Sequence, residues 1–308
     1  MRAEHRRPTG RIALLLCLAL GAAGCADSES ALSRGDRFWA DANYTAALAE
    51  YRLALREHPT DSTLLRVAHA YIETDQFERG REMYDELLAR SPAYADQAAF
   101  DYVTVARRAW QRSDRYGLAA AVEAALALRP GLPVNEFALQ LARYYASTAA
   151  DDRALDFYER ALAMAPPDSL STILFELASL QESRGNCEEA ISFFRAFRER
   201  EPAGERADQA RWRTGNCSFL LAREARADGR LELALLYVDA VLELAVPQNF
   251  QDDAWFERGE IMLALGRRDD ALFAFVRVME LNPAGSGQLV ERARARIDQL
   301  RFGRAPGR

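Results

Sequence analysis

The sequence predicts an all-α fold: an α-solenoid of about seven helix pairs, closed by one more helix at the C-terminal end. Three observations carry that expectation. Proline recurs at Pro59, Pro92, Pro130, Pro166, Pro202 and Pro283, the first five between 33 and 38 residues apart. That is the period of a two-helix repeat, and Pro247 divides the last, longer gap. With a unit of 34 residues laid on those prolines, small, aromatic and glycine residues fall into register from unit to unit, as stacking requires. Beyond Pro283, the residues Leu289, Val290, Ala293, Ile297 and Leu300 keep helical spacing, which predicts a solvating cap.

Composition narrows the function before any motif is read. The 308 residues are 49% hydrophobic and 28% charged, ordinary for a folded chain. Forty basic residues stand against 46 acidic ones, a formal charge of −6, so there is no bulk electrostatic footprint for nucleic acid. Every basic residue is Arg. That removes any mechanism needing a lysine nucleophile, a Schiff base or a Walker-type phosphate clamp.

In chain order, residues 1–24 read as an address. Arg2, Arg6, Arg7 and Arg11 precede the apolar run Ile12 to Leu20, which has signal-peptide length and is short for a membrane span. Ala22-Ala23-Gly24-Cys25 then resembles the lipobox of bacterial lipoproteins, with Ala22 where that family prefers Leu. The resemblance implies cleavage before Cys25 and a diacylglycerol on its thiol; a secretory signal cut by the ordinary peptidase is the rival reading. Ala26 in place of Asp favours the outer over the inner membrane. Cleavage removes four Arg and one Glu and leaves the mature chain at −9, so a polybasic patch is not the anchor. Residues 25–30 are expected as a lipidated tether, 31–285 as the repeat array, 286–302 as the capping helix and 303–308 as a disordered tail.

Within the array, unit one reads Gly35, Phe38, Tyr44, Ala47, Tyr51, Ala54, Pro59, and unit two Ala68, Tyr71, Phe77, Gly80, Tyr84, Leu87, Pro92. The fourth reads Ala142, Tyr145, Ala154, Tyr158, Ala161, Pro166, and the seventh Trp255, Gly259, Gly266, Ala271, Phe275, Pro283. The third unit, Ala106, Leu118, Val122, Ala125, Pro130, is degenerate. This pattern resembles the tetratricopeptide repeat (TPR) and implies a right-handed superhelix. The small residue of helix A lets two backbones approach, the aromatic fills the gap to the next unit, and proline ends helix B. Gly185, Gly229 and Gly266 suit the turn between helices A and B.

Catalytic and metal-binding motifs are missing from the sequence. His58 and His69 lie eleven residues apart without a cysteine partner nearby and read as two partly solvated histidines; no metal or cofactor is expected. The acidic pairs Asp151-Asp152, Glu188-Glu189 and Asp269-Asp270 mark starts of B helices. Cys187 and Cys217 each end a Gly-Asn-Cys triplet. If helix B of unit five and helix A of unit six run antiparallel about Pro202 to Gly204, the two cysteines lie side by side at a close crossing. A disulfide and two small thiols filling a seam both fit that placement.

The resemblance implies that the fifth residue of each unit faces a concave groove lined by helix A. Those residues are Leu32, Leu65, Val103, Leu139, Phe175, Phe219 and Phe256, all apolar, with Arg107, Arg143 and Arg223 one turn further along. Two readings stand: an exposed ribbon that binds a partner, with the arginines taking its carboxylates, or side chains buried between neighbouring A helices. The expected function is a lipid-anchored periplasmic scaffold that catalyses nothing and binds envelope proteins or peptides. The resemblance extends loosely to the TPR lipoprotein of the outer-membrane β-barrel assembly machine. A carrier of small apolar ligands and a sugar-processing enzyme are the alternatives. The Lys and Asn clamp of chaperone-binding TPR domains is absent, since Leu32, Asp36, Leu65 and His69 hold those positions. Oligomeric state is left open by the sequence.

Overall fold

The computed structural model describes residues 29–247 and 250–303. The signal segment, Cys25 and residues 304–308 lie outside the described residues. Among the described residues there are fifteen α-helices and no strand. The chain divides into two compact units, one ending at Leu132 and one beginning at Pro133.

The first unit contains α1 (Ala31–Ala40), α2 (Tyr44–Glu57), α3 (Asp61–Glu73), α4 (Phe77–Arg90), α5 (Ala95–Gln111) and α6 (Arg115–Leu128), which are three helix pairs. The second contains α7 (Ala138–Ser147), α8 (Asp151–Ala163), α9 (Pro167–Ser183), α10 (Cys187–Arg200), α11 (Glu205–Ala227), α12 (Leu231–Leu244), α13 (Gln251–Ala264) and α14 (Arg268–Leu281) as four pairs, followed by α15 (Gln288–Phe302). Within each unit every helix packs on the next in sequence, the arrangement of a solenoid. The seven pairs and the final helix match the repeat frame.

The register residues do what the repeat requires. Gly35, Ala68, Ala106, Ala142, Ala178, Ala222 and Gly259 of the A helices are all buried. A Cβ added to Gly35 would stand 2.5 Å from the Tyr51 ring, and one added to Gly259 would stand 2.5 Å from the Phe275 ring. Only a hydrogen at that position lets the B-helix aromatic lie flat on the A helix. Pro59, Pro92, Pro130, Pro202 and Pro283 each fall two residues past the last residue of a B helix, where no helical N–H is needed. Pro166 and Pro247 fall three past it.

The turns between A and B helices share one left-handed residue: Ala42 (φ 54°), Asp75 (57°), Ser113 (59°), Ala149 (56°), Gly185 (82°), Gly229 (76°) and Gly266 (75°). The sequence reading found the three glycines, and the first four turns hold the same conformation with side chains that pay for it. The acidic pairs sit inside the first turns of α8, α10 and α14, not ahead of them. There they meet the N-terminal end of the helix dipole.

Candidate partner-binding groove

Consecutive A helices are tied by an arginine on one and a carboxylate on the other. In the first unit Arg66 on α3 meets Asp36 on α1 at 2.8 Å, and Arg108 on α5 meets Glu73 on α3 at 2.6 Å. In the second, Arg143 on α7 meets Glu176 on α9 at 2.8 Å and Arg213 on α11 meets Glu182 on α9 at 3.0 Å. Arg226 on α11 meets Glu257 on α13, and Arg296 on α15 meets Glu260 on α13 at 2.7 Å.

This ladder changes the reading of the groove arginines. Arg143 is committed to Glu176, which also accepts the Tyr158 hydroxyl at 3.2 Å, so its guanidinium is a structural tie. Arg107 is exposed on α5 in the first unit and also interacts within the chain. Arg223 is exposed on α11 and faces a cleft of the second unit.

The seven apolar positions divide as well. Val103 and Phe256 are core residues, 9% and 5% exposed; Leu32, Leu65, Leu139, Phe175 and Phe219 are half-buried. Neither the exposed ribbon nor complete burial describes all seven. The physical reason is arginine stacking and ring packing. The guanidinium of Arg292, on α15, lies 4.3 Å from the Phe256 ring centre, and Arg206 lies 4.6 Å from that of Phe175. Flat, weakly hydrated guanidiniums cover aromatic faces well. Phe175 also meets Phe197 at 5.1 Å, and Phe219 stacks on Phe250 at 5.4 Å.

Two adjoining clefts open along α11 in the second unit. The first, about 740 Å³, takes Ser179, Glu182 and Ser183 from α9 and Arg213, Asn216, Leu220, Leu221 and Glu224 from α11. The second, about 390 Å³, takes Phe219, Arg223 and Arg226 from α11, Phe250, then Asp253, Phe256 and Glu257 from α13, and Arg292 from α15. Asn216 and Leu220 line both, so the two form one groove along α11. The spacing of three and four residues along α11 puts these side chains on one broad face. Leu220 is 51% exposed at its centre.

The charge of the groove is divided along its length. In the first cleft Arg213 pairs with Glu182 and leaves Glu224, while in the second Arg226 pairs with Glu257 and leaves Arg223 and Arg292 about Asp253. Burial, then the neighbouring Asp252, pushes the Asp253 carboxyl above the usual carboxylate range, and Arg223 and Arg292 only partly oppose this. Cys187 and Cys217 border the first cleft and are joined as a disulfide, with Cα atoms 5.1 Å apart.

In the first unit a smaller cleft of about 280 Å³ is lined by Asp36, Trp39, Tyr51, Leu65, Arg66 and His69. Asp36, Tyr51 and Arg66 satisfy one another: the Asp36 carboxylate accepts the Tyr51 hydroxyl at 2.8 Å and Arg66 Nε at 2.8 Å. Burial works against that carboxylate's charge, yet these hydrogen bonds hold its pKa below the ordinary value. His58 is exposed at the end of α2. His69, partly solvated as expected, has a half-buried ring with Nε2 3.1 Å from Asp101 Oδ2, and burial pushes its pKa down. Among the described residues no cluster of His, Cys, Asp or Glu has the composition of a metal site, and no helix is long and apolar enough to cross a membrane.

Sequence reasoning missed Leu220, Phe250, Asp253 and Arg292. Leu220 follows Phe219, one residue past the register position that faces the groove. Arg292 sits on the helix read as a cap, and nothing in its own spacing signals that it reaches back over Phe256.

No protein-family model matches the chain, and no curated protein matches it. Solved structures do. The TPR domain of P58(IPK) is similar over 89% of this chain and 89% of its own, at 14% identity and a TM-score of 0.33. The C-terminal part of a TPR repeat-containing protein from Cytophaga hutchinsonii covers 84% of this chain and 97% of its own, at 15% identity and a TM-score of 0.34. PilW, a type IV pilus biogenesis factor, covers 75% and 97%, at 14% identity and a TM-score of 0.30. None of these similarities assigns a partner to this chain.

Proposed function

We propose that the protein is a lipid-anchored periplasmic scaffold of the TPR kind, which binds an envelope protein or peptide along α11 in the second unit and catalyses no reaction. The observation that carries the reading is the groove itself: an exposed Leu220 beside Phe219, with Arg223 and Arg292 about Asp253 in the cleft toward α13. Such a groove fits an extended or helical segment presenting an apolar side chain and, within a turn of it, a carboxylate. The anchor and the compartment rest on the N-terminal sequence, where a basic start and an apolar core precede Cys25. A disulfide between Cys187 and Cys217 is in keeping with an oxidising compartment.

Two experiments test the two halves. Cys25→Ala moves the protein from the membrane fraction to the soluble periplasm, and a variant that still fractionates with membranes after partner binding is abolished contradicts the anchor. In affinity purification from the detergent-solubilised native envelope, the paired substitutions Leu220→Glu and Arg223→Glu remove a partner that wild type retains, with no fall in unfolding temperature. An unchanged set of bound proteins contradicts the groove.

A further inference from the structure

The opposite side of α11 carries a second cleft that the scaffold reading does not use. On α10, Ile191, Arg195 and Arg198 recur at spacings of four and three, and so share one face. On α11, Arg211, Thr214 and Ser218 do the same, and α12 supplies Leu236, Tyr237, Ala240, Glu243 and Leu244. Together they enclose about 540 Å³.

Three guanidiniums meet in this cleft. Arg211 pairs with Asp208 one turn back on its own helix. Neither Arg195 nor Arg198 has a carboxylate partner among the described residues, whereas Arg143, Arg213, Arg226, Arg258 and Arg296 of the same unit each have one. Burial first, then the charges of Arg211 and Arg195, push the pKa of Arg198 down, the direction that uncompensated crowding of cations produces. Tyr237, which lines the cleft, donates its hydroxyl to Glu188 at 2.7 Å.

We infer that this cleft binds a phosphate monoester or inorganic phosphate, with Arg195, Arg198 and Arg211 around its oxygens. Arg195 and Arg198 have no carboxylate partner and Arg211 shares its charge with Asp208, so the cleft keeps a positive excess over its one lining carboxylate, Glu243, as an anion requires. The planar forks of arginine match the spacing of phosphate oxygens and form charge-assisted hydrogen bonds with them. The apolar rim of Leu236, 65% exposed, and Leu244 accommodates the carbon part of an ester.

The test titrates inorganic phosphate into the full mature chain by calorimetry, alongside thermal unfolding with and without phosphate. Wild type binds one phosphate and unfolds at a higher temperature in its presence. Arg198→Gln and, at an exposed position, Arg195→Gln each weaken binding at least about tenfold. Without phosphate both unfold no lower than wild type, because a repelling charge has been removed. Arg301→Gln, which removes the same charge from α15, binds as wild type does. Co-sedimentation with phosphatidylcholine vesicles containing phosphatidic acid identifies the source. Arg198-dependent sedimentation assigns a lipid monoester, and phosphate binding without sedimentation assigns a soluble one. No binding at millimolar phosphate overturns the inference, as does equal binding by wild type and Arg198→Gln or an equal loss in Arg301→Gln.

Discussion

Cys187, the first residue of α10, and Cys217, near the middle of α11, are joined across the seam between the fifth and sixth helix pairs with their Cα atoms 5.1 Å apart. The link closes a loop with a sequence separation of 30 residues. In the chain-entropy picture a loop of that length is worth roughly 3–4 kcal/mol. Thiol counting on denatured, unreduced mature protein should find neither cysteine free. Substituting both by Ala should lower the free energy of unfolding by about that amount in denaturant titration. Two free thiols contradict the bridge.

The left-handed turns make a second prediction that concerns stability alone. Ala42 and Ala149 hold φ values of 54° and 56°, where three later repeats have glycine. Ala42→Gly and Ala149→Gly should each stabilise the protein by about 0.5–1 kcal/mol, since glycine adopts this conformation without the Cβ strain. Gly229→Ala, at φ 76°, should destabilise by a similar amount. Denaturant midpoints at constant slope measure all three.

Phe256 and Leu220 separate packing from recognition. Phe256 is 5% exposed between Phe275 and Arg292, so Phe256→Ser should cost several kcal/mol, in the range of about 3–5 for a buried aromatic truncated to a small residue. Leu220, 51% exposed, should tolerate Leu220→Ser within about 0.5 kcal/mol. Thermal unfolding of the two variants checks the split, and equal effects would contradict the assignment of Phe256 to the core.

Asp253 gives the groove a pH dependence with a definite sign. Its pKa in the folded state is raised, by burial and then by Asp252. A raised group favours the folded state below its unfolded pKa and loses that contribution as the pH rises through its folded value. At neutral pH the ionised Asp253 therefore opposes folding. Asp253→Asn should raise the unfolding temperature at pH 7, and the gain should shrink as the pH falls into the carboxylate range. A constant difference across that range contradicts it.

The repeat architecture was legible because it rests on local packing. Gly35 against Tyr51 and Gly259 against Phe275 are pairs within one repeat, and the prolines stop helices wherever they occur. The division at Leu132 had a signal in Pro130-Gly131-Leu132-Pro133, which a reading of repeats absorbs as one more turn. The groove was less legible. Whether Phe256 faces a partner or the core depends on Arg292, which is 36 residues away on a helix outside the repeat pattern. Arg143 and Arg223 look alike in register, and only Glu176 on the next A helix distinguishes a tie from an exposed charge.

The central claim is that the α11 groove of the second unit holds a protein partner. A photo-crosslinking amino acid placed at position 220, and separately at position 236 on α12, tests it in the intact cell envelope. A discrete adduct with one polypeptide is expected from position 220, lost when Arg223→Glu is added, and none with that polypeptide from position 236. No adduct from 220, or the same adduct from both positions, contradicts it.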